Sequence, residues 1–526
     1  MNKEYIWIPG FKYELQENDS YKVWINGVFA YDETEDILEA AKKICGENFD
    51  FNKLHGFFRL IILDKSKQKY VLVGDNSGSQ YFYFDESNKR FSDSFIAIRK
   101  HLNNLTLDYS AISELFTLGA ILGEDTIVKE IKKSDSNYYF IVENNCIKKV
   151  SKKLVPFNKL DKYDNSFEQI MQKLLNNIDK DKIGAVLTGG TDSRTILSYL
   201  NFVGIKPDLF LSGHRDNPDI PIAEDIADKL ELNLEIIDSD NVDDDKLKIG
   251  YFFLDGAYDA VLSYRHYLKS KTATQKNILY EFGGVGGEFY KNDTCHPILY
   301  GIRGYKQHDY YYKTILKRNI KHLSFLGPEI INGYERDYIK LNAISELSDE
   351  ETIFLSKCNR VFFELLKARC GSITNGYSAV CCKVDSLMDR NLIAVSSQTS
   401  SFRHDFKIWQ KKLINKYCKK IANIRTDQGY TCSLKFKYLF LDIFKQFIFN
   451  YKRLISKIKR NYGLKTQNIW DIDYINAKNS IYWKYSFDFC KKNGIIDKNA
   501  KESDIPLSLI GNIILIGMTF DNNLFK

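Results

Sequence analysis

The decapeptide Ala185-Val186-Leu187-Thr188-Gly189-Gly190-Thr191-Asp192-Ser193-Arg194 constrains this chain more than any other stretch. An apolar run ends in two glycines, a hydroxyl residue, an aspartate and a serine, and a helix-like stretch follows at once. Residues 183–187 have the length and composition of a buried strand, while Ile196, Leu197, Leu200 and Val203 recur at helical spacing. Gly189 and Gly190 let the backbone bend so closely that several N–H groups converge on one concavity. The positive end of the following helix adds to that field, which suits phosphate or pyrophosphate. Thr188 and Ser193 supply hydroxyl donors. Asp192 cannot face an anion unaided, so a magnesium ion shared with the phosphates is inferred. The spacing is neither Gly-x-x-x-x-Gly-Lys-Ser/Thr nor Gly-x-Gly-x-x-Gly. Taken alone, the stretch is also compatible with a plain strand-to-helix turn.

The flanking sequence extends the pattern. A second strand at 209–211 ends in Ser212-Gly213-His214, and Pro221 opens a helix in which Ile222, Ile226 and Leu230 recur every four residues. A third strand runs from Leu234 to Ile237. Strands alternating with helices predict βαβ units and a parallel sheet, hence an α/β architecture. Ligands of such sheets lie beyond the carboxyl ends of the strands, where the 188–193 turn falls. Ser212 ends the neighbouring strand at the same edge, where its backbone can meet an adenine. Asp238, Asp240, Asp243, Asp244 and Asp245 have no ordered ligand spacing and read as a solvated loop that caps a helix. Residues 278–288 repeat the first motif: a strand enters Gly283-Gly284-Val285-Gly286-Gly287 and ends on Glu288. Gly284 and Gly286 suit close approach to a nucleotide, and Glu288 suits a second magnesium ligand beside Asp192.

These motifs together resemble the asparagine synthetase family, including its β-lactam synthetase and lasso-peptide cyclase relatives. Residues 188–193 stand where that family has the pyrophosphate loop that grips ATP as it is cleaved between its α and β phosphates. Residues 284–288 look like its second glycine-rich acidic segment, and Ser386-Leu387-Met388-Asp389 occupies the place of its Pro-Phe-Leu-Asp turn. Residues 424–430 are similar to its Arg-x-Lys-x-Gly-Phe stretch. The resemblance implies an ATP-pyrophosphatase-type, Rossmann-like synthetase domain with a helical carboxyl-terminal part over 161–526. ATP and Mg2+ would be its cofactors.

The first half fits the same family. Residues 54–62, then Asp75-Asn76-Ser77-Gly78 and Tyr81-Phe82-Tyr83, alternate strand-like runs with turn residues. Residues 1–160 thus resemble the α+β, Ntn-type sandwich of class II glutamine amidotransferases. Those glutaminases use an amino-terminal cysteine as nucleophile. Here Met1 is followed by Asn2 and the first cysteine is Cys45, so glutaminase activity is not expected. Two departures touch the synthetase chemistry as well. Val285 stands where the family carries a glutamate or tyrosine, and Asp427 aligns with its catalytic lysine. Arg194, Arg425 and Lys435 are the cations that could take over the lysine's stabilisation of developing negative charge.

With 44% apolar residues and only eight prolines, nothing reads as a long disordered linker. The apolar stretch from Leu507 to Phe520 is too short to span a bilayer and reads as a buried helix. Ten cysteines without Cys-x-x-Cys or His-linked spacing suggest reduced thiols and a cytoplasmic protein. Residues 435–465 hold nine basic residues and one acid, Asp442, with Phe436, Leu439, Phe440, Ile443, Phe444, Phe447 and Tyr451 at spacings of three and four. This basic amphipathic helix reads first as packed on the core with a solvated basic face. Its functional readings are a membrane surface, an acidic carrier, or a phosphorylated or uronic-acid polymer precursor. No RNA-binding module is recognised, so nucleic acid is not an expected partner. The resulting expectation is an AMP-forming ligase that joins a small-molecule, peptide or sugar-linked carboxylate to an amine. A nucleotide-binding protein with impaired catalysis is the main rival, and a tRNA-acting pyrophosphate-loop enzyme a lesser one.

Overall fold

Side chains that alternate between two cores build the first half of the molecule. The computed structural model describes residues 6–525 apart from 47–48, 88, 145, 164–165, 215, 239–241, 292–323, 334–353, 398–405, 439, 446–447, 449–450, 452–454 and 456–470. Ten strands come first: β1 (Ile6–Ile8), β2 (Glu14–Glu17), β3 (Tyr21–Tyr31), β4 (Leu54–Asp64), β5 (Lys69–Gly74), β6 (Tyr83–Asp85), β7 (Arg90–Ser92), β8 (Lys132–Lys133), β9 (Tyr138–Glu143) and β10 (Cys146–Ser151). They form an antiparallel sheet in the order β10-β9-β5-β4-β3-β2 and a smaller one in the order β1-β7-β6-β8. In β4, Phe58, Leu60 and Ile62 face helix α1 (Ile37–Cys45) with Val71 and Val73 of β5. Ile61 faces the opposite way, toward Phe84, Phe91 and Phe140. One face of the large sheet is therefore closed by a helix and the other by the second sheet, which is the period-2 signature of a sandwich. Helices α2 (Phe95–Arg99) and α3 (Tyr109–Thr117) share a further core with Tyr83 of the small sheet.

After a 3-10 segment at Phe157–Tyr163, helix α4 (Phe167–Asn176) opens with a Ser166/Gln169 capping box. The chain then builds a parallel sheet from β11 (Ile183–Val186), β12 (Asp208–Ser212), β13 (Leu234–Ile237), β14 (Tyr280–Phe282) and β15 (Cys382–Val384). The expected strands at 183–187, 209–211 and 234–237 fall on β11, β12 and β13. Helices α5 (Asp192–Phe202), α6 (Ile220–Leu230), α7 (Asp244–Phe253) and α8 (Ala260–Gln275) connect them. Asp243 caps α7 by accepting the Lys246 N–H, as expected of that acidic loop, while Asp240 lies outside the described residues. The segment from Leu507 to Phe520 is helical and almost wholly buried, also as expected. Among the described residues, no helix is long and apolar enough to cross a membrane, and the cysteines are free thiols.

Two buried charge clusters tie these parts together. Glu281 of β14 is fully buried, and its carboxylate accepts from Lys269 of α8 at 2.9 Å and lies 3.6 Å from Lys383 of β15. A buried lysine inside a three-residue strand is why β15 was not legible in the sequence. The second cluster joins the halves: His55 Nδ1 lies 2.8 Å from Asp389 and Nε2 lies 3.1 Å from Asp32, which also meets Lys173. Burial opposes the imidazolium, but the two carboxylates outweigh it and lift His55 to about 9. A raised histidine contributes stability that is complete below the ordinary value of 6.5 and is lost as pH rises through about 9. His55→Asn is expected to lower the unfolding free energy by about 3 kcal/mol near pH 6 and by little near pH 10, measured by urea denaturation. A pH-independent difference would contradict the charge bridge.

Candidate active site

The strand order β13-β12-β11-β14-β15 reverses between β11 and β14. From β11 the chain builds outward to β13, then returns to lay β14 on the opposite side. In open parallel sheets a crevice opens at such a reversal, beyond the carboxyl ends of the strands. Both glycine-bearing segments leave the sheet there, one after β11 and the other after β14.

The first turn is held by its own hydroxyls. The Thr188 N–H donates to Ser193 Oγ at 3.1 Å, the Thr188 and Ser193 hydroxyls are 3.0 Å apart, and the Gly190 N–H reaches Thr188 Oγ1 at 3.4 Å. Thr191 precedes α5 without a side-chain cap, and its hydroxyl donates to Asp192 Oδ1 at 3.3 Å. The first N–H groups of α5 therefore have no capping side chain on them, which leaves a helix N-terminus of the kind that receives anions. Ser212 ends β12 one strand away and is half-buried.

The second segment lies against the first. A methyl at position 284 would stand 2.7 Å from the Ser193 nitrogen, and one at 287 would overlap the Asp192 carboxylate. Gly284 and Gly287 are thus required by close approach, and Gly286 adopts φ +92° between them. Glu288 Oε2 accepts the Gly286 N–H at 3.2 Å. Burial and then the charge of Asp192 push Glu288 above the usual carboxylate range. The structure therefore brings together the two acids read as a pair, Asp192 and Glu288. Among the described residues, no group of three or more His, Cys, Asp or Glu side chains is placed to hold a metal.

Three site residues were missed in the sequence. Lys291 pairs with Asp192, carried there by the 3-10 turn Gly287–Tyr290, and its spacing of three from Glu288 is the signal that could have found it. Gln410 Nε2 also donates to Asp192. Lys407 donates to Gln428 Oε1 at 3.0 Å and to the Tyr430 hydroxyl, and Tyr430 is close enough to Asp192 for that charge to raise it further beyond the effect of burial. Lys407 and Gln410 belong to the start of helix Ile408–Tyr417, more than two hundred residues from the turn, so no local pattern announces them. Trp409 of that helix stacks on Tyr290 with centroids 4.1 Å apart, which docks it over the second segment.

Residues 424–432 flank the turn from the other side. The Asp427 N–H donates to the Gly189 carbonyl at 3.2 Å, and a second acid, Asp219, lies against Gly189. Burial first, and the nearby Asp427 second, raise Asp219. The expectation that Arg194 reaches the phosphates needs correction. Arg194 is fully buried, donating from Nη1 to Ile424 O at 2.7 Å and from Nη2 to Arg425 O at 3.3 Å and Gly189 O at 3.4 Å. Its guanidinium satisfies main-chain carbonyls behind the turn and acts as a brace. Arg425 and Lys435 are both exposed, and among the described residues neither side chain bonds to the 188–193 turn.

A cavity of about 220 Å3 lies between the sandwich and the helices, walled by Tyr81, Tyr83 and Tyr258, with Lys133, Arg369 and Asp259 among its lining. Arg369 lies on helix Phe354–Tyr377 next to Cys370, whose thiol is raised by burial and, further down, by Asp385 and Glu288.

Residues 26–153 match the glutamine amidotransferase domain family, a stretch that starts within β3 and ends just after β10. No curated protein matches the chain. The matched stretch is consistent with the amino-terminal domain of an asparagine synthetase-type protein. Arg194→Ala is expected to lower the unfolding free energy by about 2–4 kcal/mol in urea denaturation, because buried carbonyls lose their donor. Unchanged stability would sink the bracing role.

Proposed function

We propose that this protein is an ATP-dependent, AMP-forming ligase of the asparagine synthetase type, and that its second half is the synthetase unit. The observation that carries the reading is the convergence of Asp192 and Glu288 from two glycine-bearing loops at the reversal of a parallel sheet. Two carboxylates close enough that the charge of Asp192 raises Glu288 are the donor chemistry of a divalent cation, and Mg2+ asks for few protein ligands because it keeps water and phosphate oxygens. Bound between Asp192 and Glu288, Mg2+ would offset the charge of the departing pyrophosphate.

In the proposed reaction a substrate carboxylate oxygen attacks the α-phosphorus of ATP, and the bond from that phosphorus to the bridging oxygen of the β-phosphate breaks. Pyrophosphate leaves toward the N-terminus of α5, where Thr188, Ser193 and the amides of 189–191 receive it. An amine then attacks the acyl carbon, loses a proton, and AMP departs. Half-buried Lys291 and buried Lys407 are the cations best placed to balance charge in the cleft, in place of the lysine that Asp427 does not supply. The aromatic-walled cavity with Arg369 and Lys133 is a space of suitable chemistry for the organic part of an acidic precursor. Ammonia from glutamine is not part of the proposal.

One observation favours a second reading. Asp219 and Asp427 both stand beside Gly189, which places negative charge at the rim of an anion site. A protein of this kind would bind nucleotide without releasing pyrophosphate. ATP–[32P]pyrophosphate exchange with candidate carboxylates separates the two. Exchange that falls by about a hundredfold or more in Asp192→Ala is the expected outcome. ATP binding that needs Asp192 but yields no exchange with any carboxylate class would establish the second reading instead.

A further inference from the structure

Large apolar side chains on a helix normally turn toward a core, and between residues 436 and 451 they turn away from it. Helical backbone is described at 436–438, 440–445, 448 and 451. Phe436 is 84% exposed, Phe440 70%, Phe444 63% and Tyr451 60%, and Leu441, Ile443 and Ile448 are exposed as well. At about 100° of rotation per residue, Phe436, Phe440, Leu441, Ile443 and Phe444 fall within one arc of about 160°. Leu439, Phe447 and the stretch from 456 to 465 lie outside the described residues. The expectation that this helix packs its apolar side on the core is therefore corrected by the described positions.

The reason lies in the segment's only acid. Asp442 falls opposite the apolar arc and is 3% exposed. It receives Lys411 Nζ at 3.0 Å, the Thr431 N–H at 2.9 Å and the Thr431 hydroxyl at 3.2 Å. This buried mount sets the rotation of the helix and turns Phe436, Phe440 and Phe444 outward. It also removes the one negative charge from the outer face. Lys437 lies within the arc and is exposed, Lys445 lies about 40° beyond its edge and is half-buried, Lys435 is exposed just before it, and the sequence from 452 to 465 adds six more basic residues and no acid.

An outward face of aromatic and aliphatic side chains with uncompensated positive charge complements anionic lipid headgroups over an acyl layer. A second copy of the same face would bring like charges together in a desolvated contact, which disfavours self-pairing. A contiguous exposed apolar patch of this kind is uncommon on a face without a partner. We propose that the exposed face carrying Phe436, Phe440, Leu441, Ile443 and Phe444 is an interfacial anchor that seats the protein on an anionic membrane surface. Thr431 belongs to the 424–432 loop that Arg194 braces, so the anchor and the candidate cleft share one mount. The inference does not depend on the ligase reading.

The test is co-sedimentation of the full-length protein with phosphatidylcholine vesicles containing about 30% phosphatidylglycerol at low salt. Partitioning is expected, at least about tenfold weaker for pure phosphatidylcholine or at high salt, because the charge contribution is screened. Phe440→Glu/Phe444→Glu is expected to lose roughly tenfold or more, and so is Lys435→Glu/Lys437→Glu, with thermal unfolding unchanged because all four side chains are exposed. The proposal is overturned if the anionic vesicles bind no protein, or if neither pair of substitutions weakens binding. It is equally overturned if the phenylalanine pair abolishes a concentration-dependent dimer, seen by sedimentation, while lipid partitioning stays as it was.

Discussion

Two loops meet at the edge of the parallel sheet because Gly284 and Gly287 carry no side chain where the backbone and carboxylate at the start of α5 press against them. That steric fit sets the rest of the cleft. It places Glu288 near Asp192, and the short turn after Gly287 returns Lys291 to the same carboxylate. Gln410 then reaches Asp192 from a helix held by the stacking of Trp409 on Tyr290. Four charged or polar side chains from three distant stretches thus converge through one close approach of main chain. The N-terminus of α5 supplies positive field to the same space without any side chain of its own.

Beneath this edge, buried charge is used to specify position. Glu281 between Lys269 and Lys383 locks β14 against α8 and β15, and His55 between Asp32 and Asp389 locks the sandwich against the second half. Such groups add little net stability against an apolar replacement, but an unpaired partner in low dielectric is costly, so they discriminate strongly against misplaced elements. Asp442 works in the same way on the basic helix. Its pairing with Lys411 is what turns an apolar face toward solvent. One extensive hydrophobic cluster contains both Val28 and Phe57 of the sandwich and residues of the parallel sheet. The halves therefore share a core in addition to those closed within the sandwich.

What could be read in advance followed the range of the underlying interaction. The strand, turn and helix at 183–202 are local events of periodicity and glycine content, as are β12, α6 and β13. The strand-like run at 54–62 announced β4, but that both of its faces are covered emerged only with the structure. Strand β15 escaped because a buried lysine looks like a surface residue until Glu281 is placed beside it. Arg194 was misread for a related reason: its position after the turn suggested the phosphates, whereas the carbonyls of Ile424 and Arg425 claim its guanidinium from behind. The basic amphipathic helix was visible, but the direction of its apolar side was not.

Residue order by itself determined the elements from β11 to β13, the two glycine-bearing turns and the acids at their ends, since these rest on contacts within a few residues. Only the tertiary structure decided which cations share the cleft, that Arg194 faces away from it, and that the helix beginning near residue 436 shows solvent its greasy side. Each of those outcomes depends on a desolvated charge finding a counterion or polar partner far along the chain, and hydrophobic periodicity carries no record of that choice.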